Sequence, residues 1–216
     1  APRGMSQGRN PIKKICPASR INEMLLNPGK AFTYNGSTYN FPKVKLIYNA
    51  GNNFFSHQQD LNELARAMQV VDTVIVQDCW WNGSARMADI VLPATTTMER
   101  NDISSGTYNI DKVFAMRQVV APVGDVLDDF EIFRRLSEVC GVEYAFTEGK
   151  TQMDYVKEAF AASSAEGSMP FEEFWEKGMA PIKVPKEARK WVRHADYRKD
   201  PKKNALHTPT CNIEMY

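Results

Sequence analysis

The sequence predicts an α/β fold: a doubly wound, mostly parallel, Rossmann-like sheet with a helical and irregular C-terminal appendage. Three observations predict it. Two apolar, β-branched runs, KVKLIYNAG (43–51) and DTVIVQD (72–78), flank an amphipathic stretch, SHQQDLNELARAM (56–68). Strand, helix and strand fit within ~30 residues, the size of one right-handed βαβ unit with parallel strands. The alternation then continues through NGSARMA, DIVLPA, VFAMRQVV and DDFEIFRRLSEVCG, the pattern of strands covered by helices. With 216 residues, 43% of them hydrophobic, the chain suffices for one large domain or for a domain with an appendage.

In chain order, Ser19 before RINEMLL suggests an N-capped short helix stopped by Asn27-Pro28-Gly29. FTYNGSTYNF sets Asn35-Gly36 between two aromatic arms, as in a tight type I′ hairpin. KVKLIYNAG reads as a buried strand closed by Gly51. In the following helix Ser56 and Gln59 have capping-box spacing, and Leu61, Leu64, Ala65 and Met68 share a face. DTVIVQD is a second buried strand, ending on Asp78. A short helix over NGSARMA, the strand DIVLPA, a polar loop and a strand near VFAMRQVV come next. The helix after them has Asp128 and Glu131 in capping-box relation, with Phe130, Phe133, Leu136 and Cys140 facing inward and Gly141 ending it. TQMDYVKEAFAASSAEG (151–167) is expected to form one helix and PFEEFWEKG (170–178) another, while 180–210 is basic and weakly periodic. The opening APRGMSQGRNPIKK reads as a loop that started earlier, and TPTCNIEMY as a strand just beginning, so a piece of a longer protein is expected.

Composition narrows the function classes. Lys and Arg number 27 against 26 Asp and Glu, and a net charge of +1 gives no reason to expect nucleic acid or an anionic membrane as partner. No apolar run reaches the ~20 residues of a membrane-spanning helix, so no membrane insertion is expected. Cys16, Cys79, Cys140 and Cys211 lie far apart without a C-x-x-C pair, which suggests neither a zinc knuckle nor a disulfide framework; no metal site is expected. The turn NAGNNFF is not G-x-G-x-x-G, and the chain holds no P-loop, no G-x-S-x-G and no H-E-x-x-H.

In an open parallel sheet, ligands collect beyond the carboxyl ends of the strands. The polar residues of interest fall at that edge: Asn53 and His57 after the first strand, Gln77 and Asp78 ending the second, Thr95 to Asp102 after the third, and Asp129 opening the last helix. Each also has a plain structural reading. Asn53 suits a turn and His57 the first turn of a helix. Asp78 is either a loop acid or cap, or an acceptor for a ribose or a guanine edge. Glu99 and Arg100 read as a surface ion pair, or Arg100 as a fork donor toward a phosphate or pterin oxygen. Asp129 suits the positive end of its helix.

Three stretches carry a resemblance. NAGNNFFSHQQDLNELARA, TVIVQDCWWNGSARMADIVLPATTTMERNDI and AMRQVVAPVGDVLDDFEIFRRLSE together resemble the molybdopterin oxidoreductases of the dimethyl sulfoxide reductase type, which include trimethylamine N-oxide and biotin sulfoxide reductases. PASRINEMLLNPGKAFTYNGSTYNFP and WVRHADYRKDPKKNALHTPTCNIEMY extend it over nearly the whole chain. Asn53-Phe54 stands where the family usually has Asn-Pro, His57-Gln58 where it has a double histidine, and the loop at Ser105-Gly106 is one residue short.

The resemblance implies an internal fragment of a molybdenum-dependent reductase of N-oxides or S-oxides, inactive as a fragment. It implies a periplasmic location, a cytochrome-type electron donor, the remaining domains of the same enzyme as partners, and a pair of molybdopterin guanine dinucleotides (bis-MGD) carrying molybdenum. Carried over by position, Asn53 and His57 line a turn facing one dinucleotide, Gln77 and Asp78 contact its guanosine end, and Arg100 and Asp129 add polar contacts. No catalytic residue is expected, because the metal's serine ligand and the substrate pocket belong to earlier segments. The expected organisation is an N-terminal helix and hairpin (1–42), an α/β dinucleotide-binding domain (43–145) and a helical extension toward a C-terminal barrel (146–216). The rival reading is a stand-alone, non-catalytic α/β module that binds another nucleotide or a protein.

Overall fold

A computed structural model describes residues 4–5, 16–34, 36–105, 111–163 and 165–215. The expected N-terminal loop lies almost wholly outside them, as do Asn35 and the Gly106 side of the shortened loop. The chain forms two compact units, each assembled from separated stretches: Ala1–Pro11, Tyr48–His57 and Thr73–Lys183 in one, and Ile12–Ile47, Gln58–Asp72 and Val184–Tyr216 in the other.

In the second unit, α1 (Ile21–Leu26) follows a 3-10 turn over Ala18–Arg20. Ser19 lies inside that turn and caps nothing; the N-cap position is Arg20, with no side-chain cap. Arg20 instead pairs with Glu23 and lies 4.9 Å from the Phe32 ring centroid. Strands β1 (Ala31–Tyr34) and β2 (Ser37–Asn40) form the expected antiparallel hairpin, with Tyr34 opposite Ser37 and Gly36 at φ +73°. Its two-residue link matches the Asn-Gly signal, and Gly36 adopts a conformation that would strain other residues.

Strand β3 (Leu46–Ala50) is followed by α2 (Phe54–His57), α3 (Leu61–Met68) and β4 (Thr73–Asp78). The capping box expected at Ser56 does not form. Ser56 lies within α2, and Asp60 caps α3 by accepting from the Glu63 amide at 2.9 Å. The chain breaks into two helices at Asp60, whose φ of 48° is left-handed and cannot continue α2. In α3 the buried side chains are Leu64, Ala67 and Met68, while Leu61 is exposed.

In the first unit α4 (Gly83–Arg86) leads to β5 (Ile90–Pro93), which pairs in parallel with β4 from Ile75↔Ile90 to Asp78↔Pro93. The strand order is β3-β4-β5. Central β4 buries Val74 and Val76 at 2% and 1% exposure, whereas outer β3 and β5 are half exposed. The expectation of a fully buried first strand therefore fails, because among the described residues β3 has a neighbour on one side only.

Beyond β5, parallel pairing among the described residues continues only as a single bridge, Ala94↔Leu127. Strand β6 (Asp102–Ser105), within the stretch expected as polar loop, pairs antiparallel with β7 (Lys112–Met116). The strand expected near VFAMRQVV is thus β7, and it joins a second, antiparallel sheet rather than extending the parallel one. Helices α5 (Asp129–Val139), α6 (Glu143–Thr147), α7 (Gln152–Ala161) and α8 (Phe171–Lys177) follow, and β8 (Met179–Pro181) returns to pair with β7. The second unit ends with the short α9 (Ala195–Lys199); residues 208–215 form turns, not the expected strand.

Asp128 caps α5 through the Glu131 amide at 2.9 Å, but the box is not reciprocal. The Glu131 carboxylate is bound by Arg134 at 2.7 Å and Arg135 at 2.7 Å, and the hydrogen bond from Arg134 leads the causes that hold it down to about 2. Ile132 and Ser137 are the buried side chains of α5; Leu136 and Cys140 are exposed, contrary to the face expected for them. The expected long helix after Thr151 ends at Ala161, with a complete capping box between Thr151 and Asp154.

The dry core of the first unit lies under the antiparallel sheet. Val113, Phe160, Ala165, Phe174 and Ala180 are buried together, with Phe160 and Phe174 stacked at 4.3 Å between ring centroids. The α/β class stands, with one short parallel sheet and one antiparallel sheet in place of a single wound sheet.

Candidate functional site

The carboxyl ends of β4 and β5 open into polar loops, and the side chains there are held by hydrogen bonds rather than apolar packing. Asp78, the last residue of β4, accepts from the Trp80 amide at 2.9 Å and from Asn82 Nδ2 at 2.8 Å. Asn82 Oδ1 in turn caps α4 through the amides of Ser84 and Ala85. Those two bonds fix the plane of the Asp78 carboxylate and leave it further acceptor positions, since a carboxylate offers about four. Asn53 is tied to the same helix: its Oδ1 accepts from Ser84 Oγ at 3.1 Å and its Nδ2 donates to Ser56 Oγ at 2.8 Å. Gly83 permits the close approach, because a Cβ there would lie 3.3 Å from the Phe55 ring.

A second set of groups runs across the floor of the sheet. Tyr48 Oη donates to Gln77 Oε1 at 2.6 Å, and Gln77 Nε2 donates to Asp129 Oδ1 at 2.6 Å. Gln77 is fully buried, so both halves of its amide need these partners. Burial first, and then the Asp129 charge, raise the Tyr48 hydroxyl above the ordinary phenol range and keep it a donor. Asp129 Oδ2 lies 3.9 Å from Arg100 Nη2, while Arg100 Nη1 donates to the Thr95 carbonyl at 2.8 Å.

The loop between them is a built structure. Glu99 does not pair with Arg100; its carboxylate accepts from the Thr96 amide and hydroxyl, both at 2.8 Å, and from the Val123 amide at 3.1 Å. The Thr96 bonds are the main cause that lowers the Glu99 carboxyl below the ordinary carboxylate range. Asn101 accepts from the Gln118 amide, pinning the other end of the loop.

These groups surround a cleft of about 420 Å³. Five of the six residues expected from the sequence line it: Asn53, Gln77, Asp78, Arg100 and Asp129. His57 does not; it ends α2 as an exposed residue and is not among the lining side chains. A second cavity of about 290 Å³, lined among others by Ile103, Phe130, Tyr155 and Val156, shares Arg100 and Asp129 with the cleft as a common wall. The sequence did not single out Tyr48, Trp80 or Asn82, and it offered Thr95 only as the start of the polar run at the sheet edge. The Asn-Gly-Ser order after Asp78 is a readable cap signal for Asn82; the hydroxyl of Tyr48, inside an apolar run, carries no signal in the sequence.

Chemically the cleft has two ends. Asp78 presents an oriented acceptor, suited to paired N–H donors such as a guanine edge. Arg100, with 18% of its side chain exposed, presents donors suited to anionic or carbonyl oxygens. No group of three or more His, Cys, Asp and Glu among the described residues is placed to hold a metal ion, and no described helix is long and apolar enough to cross a membrane.

Residues 5–139 match the family model of the molybdopterin oxidoreductases, a span that contains every candidate residue above. The chain belongs to the molybdopterin oxidoreductase family. It is 44% identical over 212 residues to a trimethylamine-N-oxide reductase of Haemophilus influenzae, covering 94% of this chain and 26% of that protein. A dimethyl sulfoxide/trimethylamine N-oxide reductase of Cereibacter sphaeroides is 44% identical over 207 residues, which is 93% of this chain and 25% of the relative. A biotin sulfoxide reductase of the same organism is 40% identical over 218 residues, 98% of this chain and 29% of the relative. The chain spans about a quarter of the length of these relatives. Among solved structures, acetylene hydratase from Pelobacter acetylenicus aligns with a TM-score of 0.56 at 20% identity, over 81% of this chain and 22% of that one, and supports the α/β fold alone.

The molybdopterin oxidoreductase family implies a molybdenum–pterin group, and the residues of the cleft fit a polar heterocyclic ligand of that kind. Asp78 accepts and Arg100 donates. Thr95, another lining residue, has a buried Oγ1 without a hydrogen-bond partner among the described residues.

Proposed function

We propose that this segment binds the guanosine end of a molybdopterin guanine dinucleotide within a molybdenum-dependent reductase of N-oxides or S-oxides. The observation that carries the reading is the shared cleft: an Asp78 carboxylate oriented by two hydrogen bonds and a guanidinium held by the Thr95 carbonyl line the same space. Asp78 accepts from the N–H groups of the guanine edge, Arg100 donates to ligand oxygens, Asn53 shapes the turn above, and Gln77 and Asp129 position Arg100 from below. When bound, the molybdenum–pterin group supplies oxygen-atom transfer. The metal's protein ligand and the substrate pocket belong to other parts of the enzyme.

In this proposal residues 43–145 form the dinucleotide-binding segment, 1–42 precede it, and 146–216 lead toward a C-terminal barrel. The remaining domains are its partners, a cytochrome-type protein donates the electrons, and the enzyme works in the periplasm with a pair of dinucleotides. His57, exposed at the end of α2, is proposed to meet the dinucleotide from outside the cleft lining.

GDP titrated calorimetrically into the 216-residue chain tests the reading. Weak binding is expected, and Asp78→Ala should weaken it by about 10- to 100-fold, the value of a hydrogen-bonded charge at ~1.5–3 kcal/mol. Equal GDP affinity in wild type and Asp78→Ala would remove the guanosine site from this cleft.

A further inference from the structure

The threonine run at 95–97 divides by function. Thr96 is engaged within the fold: its hydroxyl and amide both donate to Glu99. Thr95 is not. It is only 4% exposed, and its Oγ1 has no hydrogen-bond partner among the described residues. Native structures leave few buried side-chain polar atoms in that state, because each lost hydrogen bond to water must be replaced.

Its surroundings show what partner is wanted. The Thr95 backbone is pinned on both faces: its amide donates to the Leu127 carbonyl at 3.0 Å, and its own carbonyl accepts Arg100 Nη1 at 2.8 Å. The residue is therefore fixed in the wall of the cleft, in the same short turn as the guanidinium, with its hydroxyl buried behind the surface. Arg100 Nε already donates to Asp102 at 3.4 Å and Nη1 to the Thr95 carbonyl, but Nη2 stands 3.9 Å from Asp129, beyond hydrogen-bond reach, so the Nη2 side of the guanidinium is the part left to donate. A buried hydroxyl and an incompletely bonded guanidinium, side by side, call for an acceptor with several lone pairs.

We propose that Thr95 Oγ1 and the Arg100 guanidinium together form a subsite for an acceptor oxygen of the bound nucleotide. The inference rests on the dinucleotide reading above and goes beyond it by assigning Thr95 as a ligand-binding residue. The oxygen belongs either to the diphosphate or to the nucleoside.

The test is Thr95→Val, nearly isosteric and without the hydroxyl, in the 216-residue chain, with GDP and guanosine affinities measured by calorimetry beside the melting temperature of the free protein. Removing an unsatisfied buried hydroxyl should raise the melting temperature by about 2–4 °C. GDP affinity should fall by about 5- to 30-fold, the equivalent of one hydrogen bond, and Thr95→Ser should restore it. A loss for GDP with guanosine unaffected assigns the oxygen to the diphosphate; an equal loss for both assigns it to the nucleoside. A lower melting temperature with unchanged affinities would overturn the subsite and make the hydroxyl part of the fold. Wild-type protein that binds neither GDP nor guanosine would overturn the dinucleotide reading and this inference with it.

Discussion

Two regions of the first unit solve opposite problems with neighbouring segments of chain. Under the antiparallel sheet, Val113, Phe160, Phe174 and Ala180 close a dry core in which stacked rings exclude water. At the end of the parallel sheet, Gln77 is as deeply buried as Phe174, yet everything it touches through its amide is polar. The first region is stable because its parts need nothing else. The second leaves the Thr95 hydroxyl without a partner among the described residues, the opening that the proposed ligand would fill. Burial alone does not separate core from site; the difference lies in whether buried polar atoms are all partnered from within.

Three substitutions sharpen or break that contrast. The largest effect is predicted for Phe174→Ala, which should lower the unfolding free energy in urea by about 3–5 kcal/mol while GDP affinity of the folded protein is unchanged. A loss under ~1 kcal/mol would mean that the region is not a closed core. Gln77→Leu should have an intermediate effect. It leaves Tyr48 Oη and Asp129 Oδ1 without their partner, a cost of about 1–3 kcal/mol, and it should weaken GDP binding as well, because Asp129 no longer holds its place beside Arg100. Lost stability with native GDP affinity would detach the Tyr48–Gln77–Asp129 chain from the cleft.

The smallest effect is predicted for Glu99→Gln and is read in pH dependence. The folded-state carboxyl of Glu99 lies below its ordinary value of 4.5, so its stabilising contribution is present above that pH and is lost as pH falls toward the lowered value. The variant should therefore melt less steeply with acid over that range than wild type does. Identical acid profiles would mean that the Thr96 and Val123 bonds do not hold the loop in solution.

Much of this was legible in the residues. The β-branched runs at 46–50, 73–78 and 90–93 announced three strands, Asn35-Gly36 the hairpin, and Asp128 a helix cap. The polar residues after those strands named five of the cleft's lining side chains, because strand ends in a parallel sheet face one way. Other features were not legible. The strand at 112–116 has the same local pattern whether it extends a parallel sheet or starts an antiparallel one, and only its pairing with β6 and β8 chose. Ser56 has the right spacing for a cap, but Asp60 adopts a left-handed conformation and takes the role. His57 lies near the cleft in sequence, yet the turn of α2 leaves it outside the lining.

By itself the sequence determined the type of the elements from β3 to β5, the polarity of the strand ends and the resemblance that places the chain among the molybdopterin oxidoreductases, since these depend on local composition and order. Tertiary structure decided which buried polar groups answer one another. Glu99 and Thr96 are only three residues apart, but the turn that joins them and leaves the Thr95 hydroxyl without a partner among the described residues is held by bonds from distant segments, Val123 to Glu99 and Thr95 to Leu127, and hydrogen bonds fail within a fraction of an ångström.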